Sequence, residues 1–221
     1  MGNETEPGTG TSRPERFEQD AVVLDPHNLR GLAHPLRVRL LGLLRSDGPS
    51  TATRLAERLG QSSGATSYHL RQLAAYGFVA EDHERTGSGR ERWWKATARY
   101  TDLPRASARE ASGEAEGFLR AVAADCYHEM DAFLGELPTL PARWDDGWAM
   151  TDRILRLTPA EAARMRQELR TVVDRYREDQ PGGDPTAPSG AERVVVQVQM
   201  LPRLRSTTAA AESHDEGEDR P

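Results

Sequence analysis

The chain has 221 residues, with 29 basic against 35 acidic side chains and a formal net charge of −6. That length suits one domain plus a smaller appended one, and the single cysteine, Cys126, excludes a disulfide framework and points to a reducing compartment. No uninterrupted apolar run is long enough to span a bilayer, no charged-then-apolar leader opens the chain and Glu6 stands where a myristoylation signal needs Ser or Thr, so a soluble, cytoplasmic protein without a membrane partner is expected.

In chain order, residues 1–24 are rich in Gly, Thr, Glu and Pro and are expected to be a disordered N-terminal segment. A domain then spans residues 25–104. Leu29, Leu32, Leu36, Leu40, Leu43 and Leu44 form a helical stripe, in which Pro35 marks a kink or a restart. Residues 53–79 read as two short helices joined by a tight turn. The first buries Leu55, Ala56 and Leu59 and stops at Gly60, where a residue with positive φ is least costly. Ser62 offers its hydroxyl as N-cap to the second, which turns Thr66, Leu70 and Leu73 inward. Ser63, Gly64, Ser67, Tyr68 and Arg71 are left facing outward, mostly in the first half of that helix. A helix-turn-helix presents that N-terminal part to base edges in the major groove. Beyond Gly77, two runs rich in aromatic and β-branched residues flank Thr86–Gly89 and predict a hairpin, a wing carrying Arg85, Arg90 and Arg92. Trp93 and Trp94, adjacent on one strand, must face opposite ways.

These residues resemble the ArsR-type winged helix-turn-helix regulators of bacteria, through LAHPLRVRLLGLL, LGQSSGATSYHLRQLAAYGFV and GRERWWKAT. The family's recognition-helix pattern maps onto Ser62, Ser67, His69, Leu70 and Leu73. The resemblance implies a dimeric transcription regulator, repressor or activator, acting on a near-palindromic operator in double-stranded DNA; the sequence leaves both the existence and the identity of a small-molecule effector open. The resemblance also implies that the helix after the wing packs across the dimer two-fold. The best-known members hold a metal through a Cys-x-Cys pair, but this chain has Ser-Thr-Ala-Thr at residues 50–53 and one cysteine in all, so no thiolate cluster forms within a protomer. Asp125, His128 and Asp131 fall at helical spacing where a second family site uses Asp and His. An amphipathic surface helix often produces that pattern by chance, and no metal or other cofactor is expected.

Charge supports the reading once it is counted by segment. Residues 25–104 hold 12 basic against 8 acidic side chains, whereas residues 1–24 hold 2 against 5 and residues 105–221 hold 15 against 22. The candidate DNA reader is the basic part of an acidic chain. All but one of its cations are arginines, which fork onto phosphate or guanine, Lys95 being the exception.

Residues 105–137 predict one long helix with Phe118, Leu119, Val122, Ala123, Cys126, Met130, Phe133 and Leu137 on a stripe. Leu119, Val122, Cys126 and Met130 are the candidate dimer interface, with intrachain core as the alternative. Residues 138–205 are expected to form a C-terminal α+β unit: a strand over 148–158, a helix to about Glu178 opened by a Thr158-Pro159-Ala160-Glu161 capping box, and a last strand in AERVVVQVQMLPRL. So small a unit buries little alone and is expected to pack on the long helix or on its mate in a second subunit. Residues 206–221 read as a disordered acidic tail. The expected fold class is therefore α+β, a mainly helical winged helix-turn-helix domain followed by a long helix and a strand-helix-strand unit.

Single residues with chemical potential are read conservatively. His69 is expected to pack or touch phosphate rather than switch with pH, Cys126 to be a buried inert thiol, and Trp144 and Trp148 to anchor the C-terminal unit. No catalytic constellation, phosphate loop or H-E-x-x-H is present, so an enzyme is not expected. A sequence-specific transcription regulator is the leading reading. The alternatives are a winged-helix interaction or architectural module, and a metal- or redox-responsive regulator using Asp125, His128 or Cys126.

Overall fold

Pro35 divides the leucine stripe into two helices, α1 (Pro26–Leu32) and α2 (Pro35–Ser46), so it acts as a restart and not a kink. Each start is capped by a side chain: Asp25 accepts from the Asn28 N–H at 2.7 Å, and His34 Nδ1 from the Leu36 N–H at 3.1 Å. Leu29, Leu32, Leu40 and Leu44 are buried, and Leu41 joins them. At Gly31 an added Cβ would lie 2.7 Å from the Tyr76 ring and 2.8 Å from Phe78, so α1 packs at a distance only glycine allows.

The structure is a computed structural model that describes residues 20–85, 91–181 and 183–203. It divides into two units, one of Met1–Trp148 with Asp179–Arg193, the other of Ala149–Glu178 with Val194–Pro221. In the first unit, α3 (Ala52–Leu59) and α4 (Ser63–Ala75) form the expected helix pair. Gly60 ends α3 with φ +60°, and Ser62 Oγ accepts from the Ala65 N–H at 3.2 Å to open α4. Thr66, Leu70 and Leu73 are fully buried, and Phe78 closes the core below them.

Five short strands are found among the described residues of this unit. β3 (Val79–Glu81) and β4 (Trp93–Ala96) form the antiparallel base of the wing, with Val79 opposite Ala96 and Glu81 opposite Trp94. β2 (Ser50–Thr51) lies on the other side of β4, a pairing not anticipated from so short a stretch. β1 (Ala21–Val23) runs parallel with β5 (Tyr100–Asp102). Residues 21–23 therefore do not belong to a disordered segment. Val22 packs against the core, Leu24 is fully buried, and Asp20 accepts from the Arg99 N–H at 3.0 Å. The β4–β5 link is held to α2 by Arg45, which donates to the carbonyls of Ala98 at 2.9 Å and Tyr100 at 2.7 Å. Burial lowers the pKa of its guanidinium to about 10, well above neutrality, so it stays charged.

The long helix over residues 105–137 is interrupted. α5 (Arg105–Glu110) and α6 (Ser112–Glu136) meet at Ala111, whose φ −116° and ψ 58° are not helical. The break seats Ala111 in the core beside Ala115 and Phe118. α6 packs on α1 and α2, and Trp148 lies against Phe133 with ring centroids 5.6 Å apart. The returning segment is bound by ions: Arg193 pairs with Asp47, which also pairs with Arg58, and with Asp179 at 2.8 Å.

The second unit contains one helix among its described residues, α7 (Pro159–Val173), opened by the expected capping box. Thr158 Oγ1 accepts from the Glu161 N–H at 3.2 Å, and the Glu161 carboxylate accepts from the Thr158 N–H at 2.8 Å. The two flanking segments depart from expectation. Residues 149–157 and 194–203 belong to no ladder among the described residues, so strand-helix-strand is realised only as its helix. Alternating side chains mark a stretch as wanting a sheet, but hydrogen bonding requires a second edge.

Candidate nucleic-acid interface

The outward face of α4 begins with Ser62, Ser63 and Gly64, all exposed, and continues with Tyr68, 53% exposed, and Arg71. Ser67 lies half-buried between them and the wing. Arg71 Nε donates to the Ser67 carbonyl at 3.2 Å, which lays its side chain back toward the N-terminal half of the helix. Because Thr66, Leu70 and Leu73 fix the inward face, the helical period alone determines which residues remain outside.

Across from this face stands the wing. A cleft of about 340 Å³ is lined by Ala52 and Thr53 from the start of α3, Ser67 and Arg71 from α4, and Glu91, Arg92 and Trp94 from the wing. Arg92 meets Glu81 across the strands at 2.9 Å. Asp82, almost fully buried, meets Lys95 at 3.1 Å and Arg85 at 3.6 Å. Its carboxyl is held below the usual carboxylate range, chiefly by the hydrogen bond from Lys95. A buried anion thus fixes two cations at the base of the hairpin. Arg90 and the tip Thr86–Gly89 lie outside the described residues.

The two tryptophans divide as the strand period requires. Trp94 is 5% exposed and enters the core, while the Trp93 ring lies 4.9 Å from the guanidinium carbon of Arg54 and 5.4 Å from that of Arg85. Sequence patterns do not single out Arg54. It precedes Trp93 by 39 positions, and only the fold brings an arginine of α3 beside the wing.

His69 is half-buried against His34, ring centroids 4.5 Å apart, with Tyr68 at its edge. Burial and the neighbouring Arg37 hold both imidazoles below their ordinary pKa, and His34 acts on His69 in the same direction. This joins the N-terminus of α2 to α4.

The residues singled out on the long helix separate into two groups. Ala115, Phe118 and Ala121 are buried and Val122 packs against the same core, whereas Leu119 is 54% exposed on the other side, with Tyr127 and Leu134. Cys126 and Met130 are half-buried. Burial and Asp125 push the Cys126 thiol up, away from the reactive thiolate. Asp125 faces Arg39 at 3.9 Å, while His128 and Asp131 are exposed. Among the described residues no three such side chains converge as metal ligands.

Residues 32–82 match the family model described as a helix-turn-helix domain, which covers α2, α3, α4 and β3. No curated protein matches the chain. Among solved structures, the YusO protein from Bacillus subtilis is 16% identical, with 67% of this chain and 79% of that chain covered and a TM-score of 0.30. A mutant of ZitR from Lactococcus lactis in its apo form is 15% identical, with coverage of 66% and 84% and a TM-score of 0.27. The transcriptional regulator Tm0710 from Thermotoga maritima is 14% identical, with coverage of 66% and 80% and a TM-score of 0.26.

Proposed function

We propose that this chain is a sequence-specific transcription regulator that binds double-stranded DNA as a homodimer. The observation that carries the reading is the convergence of Ser67 and Arg71 from the helix with Arg92 from the wing around one cleft, while Arg54 and Arg85 stack on the adjacent Trp93. A packed core supports that face, so its arginines are presented on a rigid frame. In this reading α4 enters the major groove, where Ser63, Gly64, Ser67, Tyr68 and Arg71 meet base edges, and Ser62 with the first turn of the helix meets phosphate. Arg85, Arg90 and Arg92 bind the backbone or the minor groove beside it.

One winged helix reads too few base pairs to select an operator in a genome, so the mechanism needs two copies. The exposed apolar side of α6, with Leu119, Tyr127 and Leu134, is the seam we assign to them; Val122, Cys126 and Met130 border it. Two helices paired there would set the spacing of the half-sites and favour a near-palindromic operator.

The test is operator selection from a random DNA pool, followed by titration of Arg71→Ala. A bidentate pairing of arginine with guanine is worth about 1 to 3 kcal/mol. The variant should lose that much affinity and relax its preference at one base position per half-site. Unchanged affinity together with an unchanged motif would remove α4 from the groove, and a wild-type pool without any motif would leave an architectural module.

A further inference from the structure

The second unit is the part of the molecule that the DNA-reading proposal leaves unused, and its surface is anomalous. Among its described residues none is buried, and Met150, Ile154, Leu155, Val194, Val196 and Leu201 are exposed, Ile154 to 80%. Together with their apolar neighbours they present on the order of 1,000 Å² of apolar surface, comparable with the roughly 800 Å² that each partner buries in a standard interface. Single exposed leucines are ordinary, but so many apolar side chains left exposed in one small unit mark it as an interaction surface.

The pattern of the last segment narrows what fits it. Residues 194–200 read Val-Val-Val-Gln-Val-Gln-Met, with no charge between Arg193 and Arg203. In extended form Val194, Val196, Val198 and Met200 share one side. Centred on Gln197 the pattern is its own complement. In an antiparallel pair Val196 faces Val198 of the other strand, Val194 faces Met200, and the two Gln197 side chains face each other on the opposite side. A two-fold axis requires this self-complementarity.

The terminal segments cannot supply the cover, and the exposed apolar side of α6 is assigned above to its own two-fold seam. Residues 1–19 contain Met1 and Phe17 as their only large apolar side chains, and residues 204–221 only Leu204. We infer that the second unit is a subunit interface, in which residues 194–200 pair antiparallel with the same residues of a second copy about Gln197. Each copy adds residues 149–157 as a further edge and the apolar side of α7, with Ala162, Met165 and Leu169, as the layer over the sheet. A two-stranded ribbon is marginal in water, whereas four strands covered by two helices have a core. This interface does not depend on the winged helix reading DNA, and it would join the copies at a second place besides α6.

Cysteine cross-linking of the full chain in a Cys126→Ser background tests it. Gln197→Cys places two sulfurs at the two-fold, where directly opposed positions approach closely enough to bridge. Val194→Cys places them about 20 Å apart at the rise of a strand. Under mild oxidation Gln197→Cys should give a disulfide-linked dimer and Val194→Cys none. In the uncross-linked protein, amide exchange over residues 194–200 should be slow, and Val196→Asp should make it fast while the helical circular dichroism of the winged domain persists. Cross-linking at both positions or at neither, cross-linking at Val194→Cys alone, or fast exchange in the parent protein would overturn the proposal. So would slow exchange that survives in Val196→Asp. Light scattering that shows open-ended assemblies in place of a dimer would equally exclude a closed two-fold.

Discussion

The winged domain and the C-terminal unit use similar residues in opposite ways. In the first, Leu29, Leu40, Leu70, Leu73 and Phe78 are withdrawn entirely from water, and capped helices and a three-stranded sheet satisfy the main chain around them. In the second, valines and isoleucine remain exposed on segments without a ladder among the described residues, although its helix is as well capped as any in the first. Local signals act equally in both. What separates them is whether one copy of the chain provides two surfaces to press together.

The largest expected effect that would sharpen this contrast is from truncation. Leu70→Ala should destabilise the winged domain by about 2 to 5 kcal/mol, since it removes a fully buried side chain and leaves a cavity. Ile154→Ala, made in a protein kept dilute enough to be monomeric, should change stability by less than about 0.5 kcal/mol. Equal losses in urea unfolding would mean that the C-terminal unit has a core of its own.

Overpacking comes next. Gly31→Ala should cost the winged domain about 1 to 3 kcal/mol, because the added methyl meets Cβ and Cγ of Tyr76 and the buried Phe78 ring, which have little room to retreat. Gly135→Ala, where an added Cβ has nothing within 4 Å, should be neutral or slightly stabilising. Thermal unfolding of the pair measures how tightly the first unit is filled.

Salt dependence separates the cations of the two units. Replacing Arg85 and Arg92 together by Ala should flatten the slope of operator affinity against salt by about 0.9 for each phosphate no longer neutralised, while keeping the preferred motif. Replacing Arg164 and Arg166 on α7 should leave the slope unchanged. A slope insensitive to the wing would mean that the hairpin points away from DNA.

The smallest expected effect is with pH, in the winged domain. His34 and His69 have pKa values lowered from 6.5, so the folded state favours the neutral rings and the unfolded chain takes up protons first. Their contribution is fully present above pH 6.5 and is lost as the pH falls through their lower folded values. The guanidinium of Arg37, which faces the pair, stays charged throughout that window. The double variant His34→Asn, His69→Gln retains an oxygen at the cap of α2 and should unfold with a smaller difference between pH 7.5 and pH 5.5 than the parent.

How much of the fold is legible in the sequence follows from the range of each signal. The Gly60 stop, the Ser62 cap, the inward Thr66, Leu70 and Leu73 and the Thr158 capping box each depend on a few neighbouring residues, and all are legible; Pro35 marks its position, though not the choice between kink and restart. β1 and β2 are not legible, since stretches of three and two residues have no periodicity and exist because β5 and β4 lie alongside. The break at Ala111 is hidden for a similar reason: alanine favours a helix, and only the room beside Phe118 rewards leaving it. Of the candidate interface, the α4 face and the wing arginines are legible from spacing, while the place of Arg54 beside Trp93 depends on the fold. Over residues 149–157 and 194–203 the alternation marks an apolar side needing cover, but does not identify the surface that covers it.

Lys95, held by the buried Asp82 at the root of the hairpin, is the only lysine in the chain. A lysine-specific protease therefore has one cleavage site, the Lys95–Ala96 bond within β4, and yields two fragments. That bond opens only when the wing peels from the sheet, so the cleavage rate becomes a built-in clock for wing opening. Run with and without operator DNA, it reports from a single gel band whether the hairpin is clamped by what it holds.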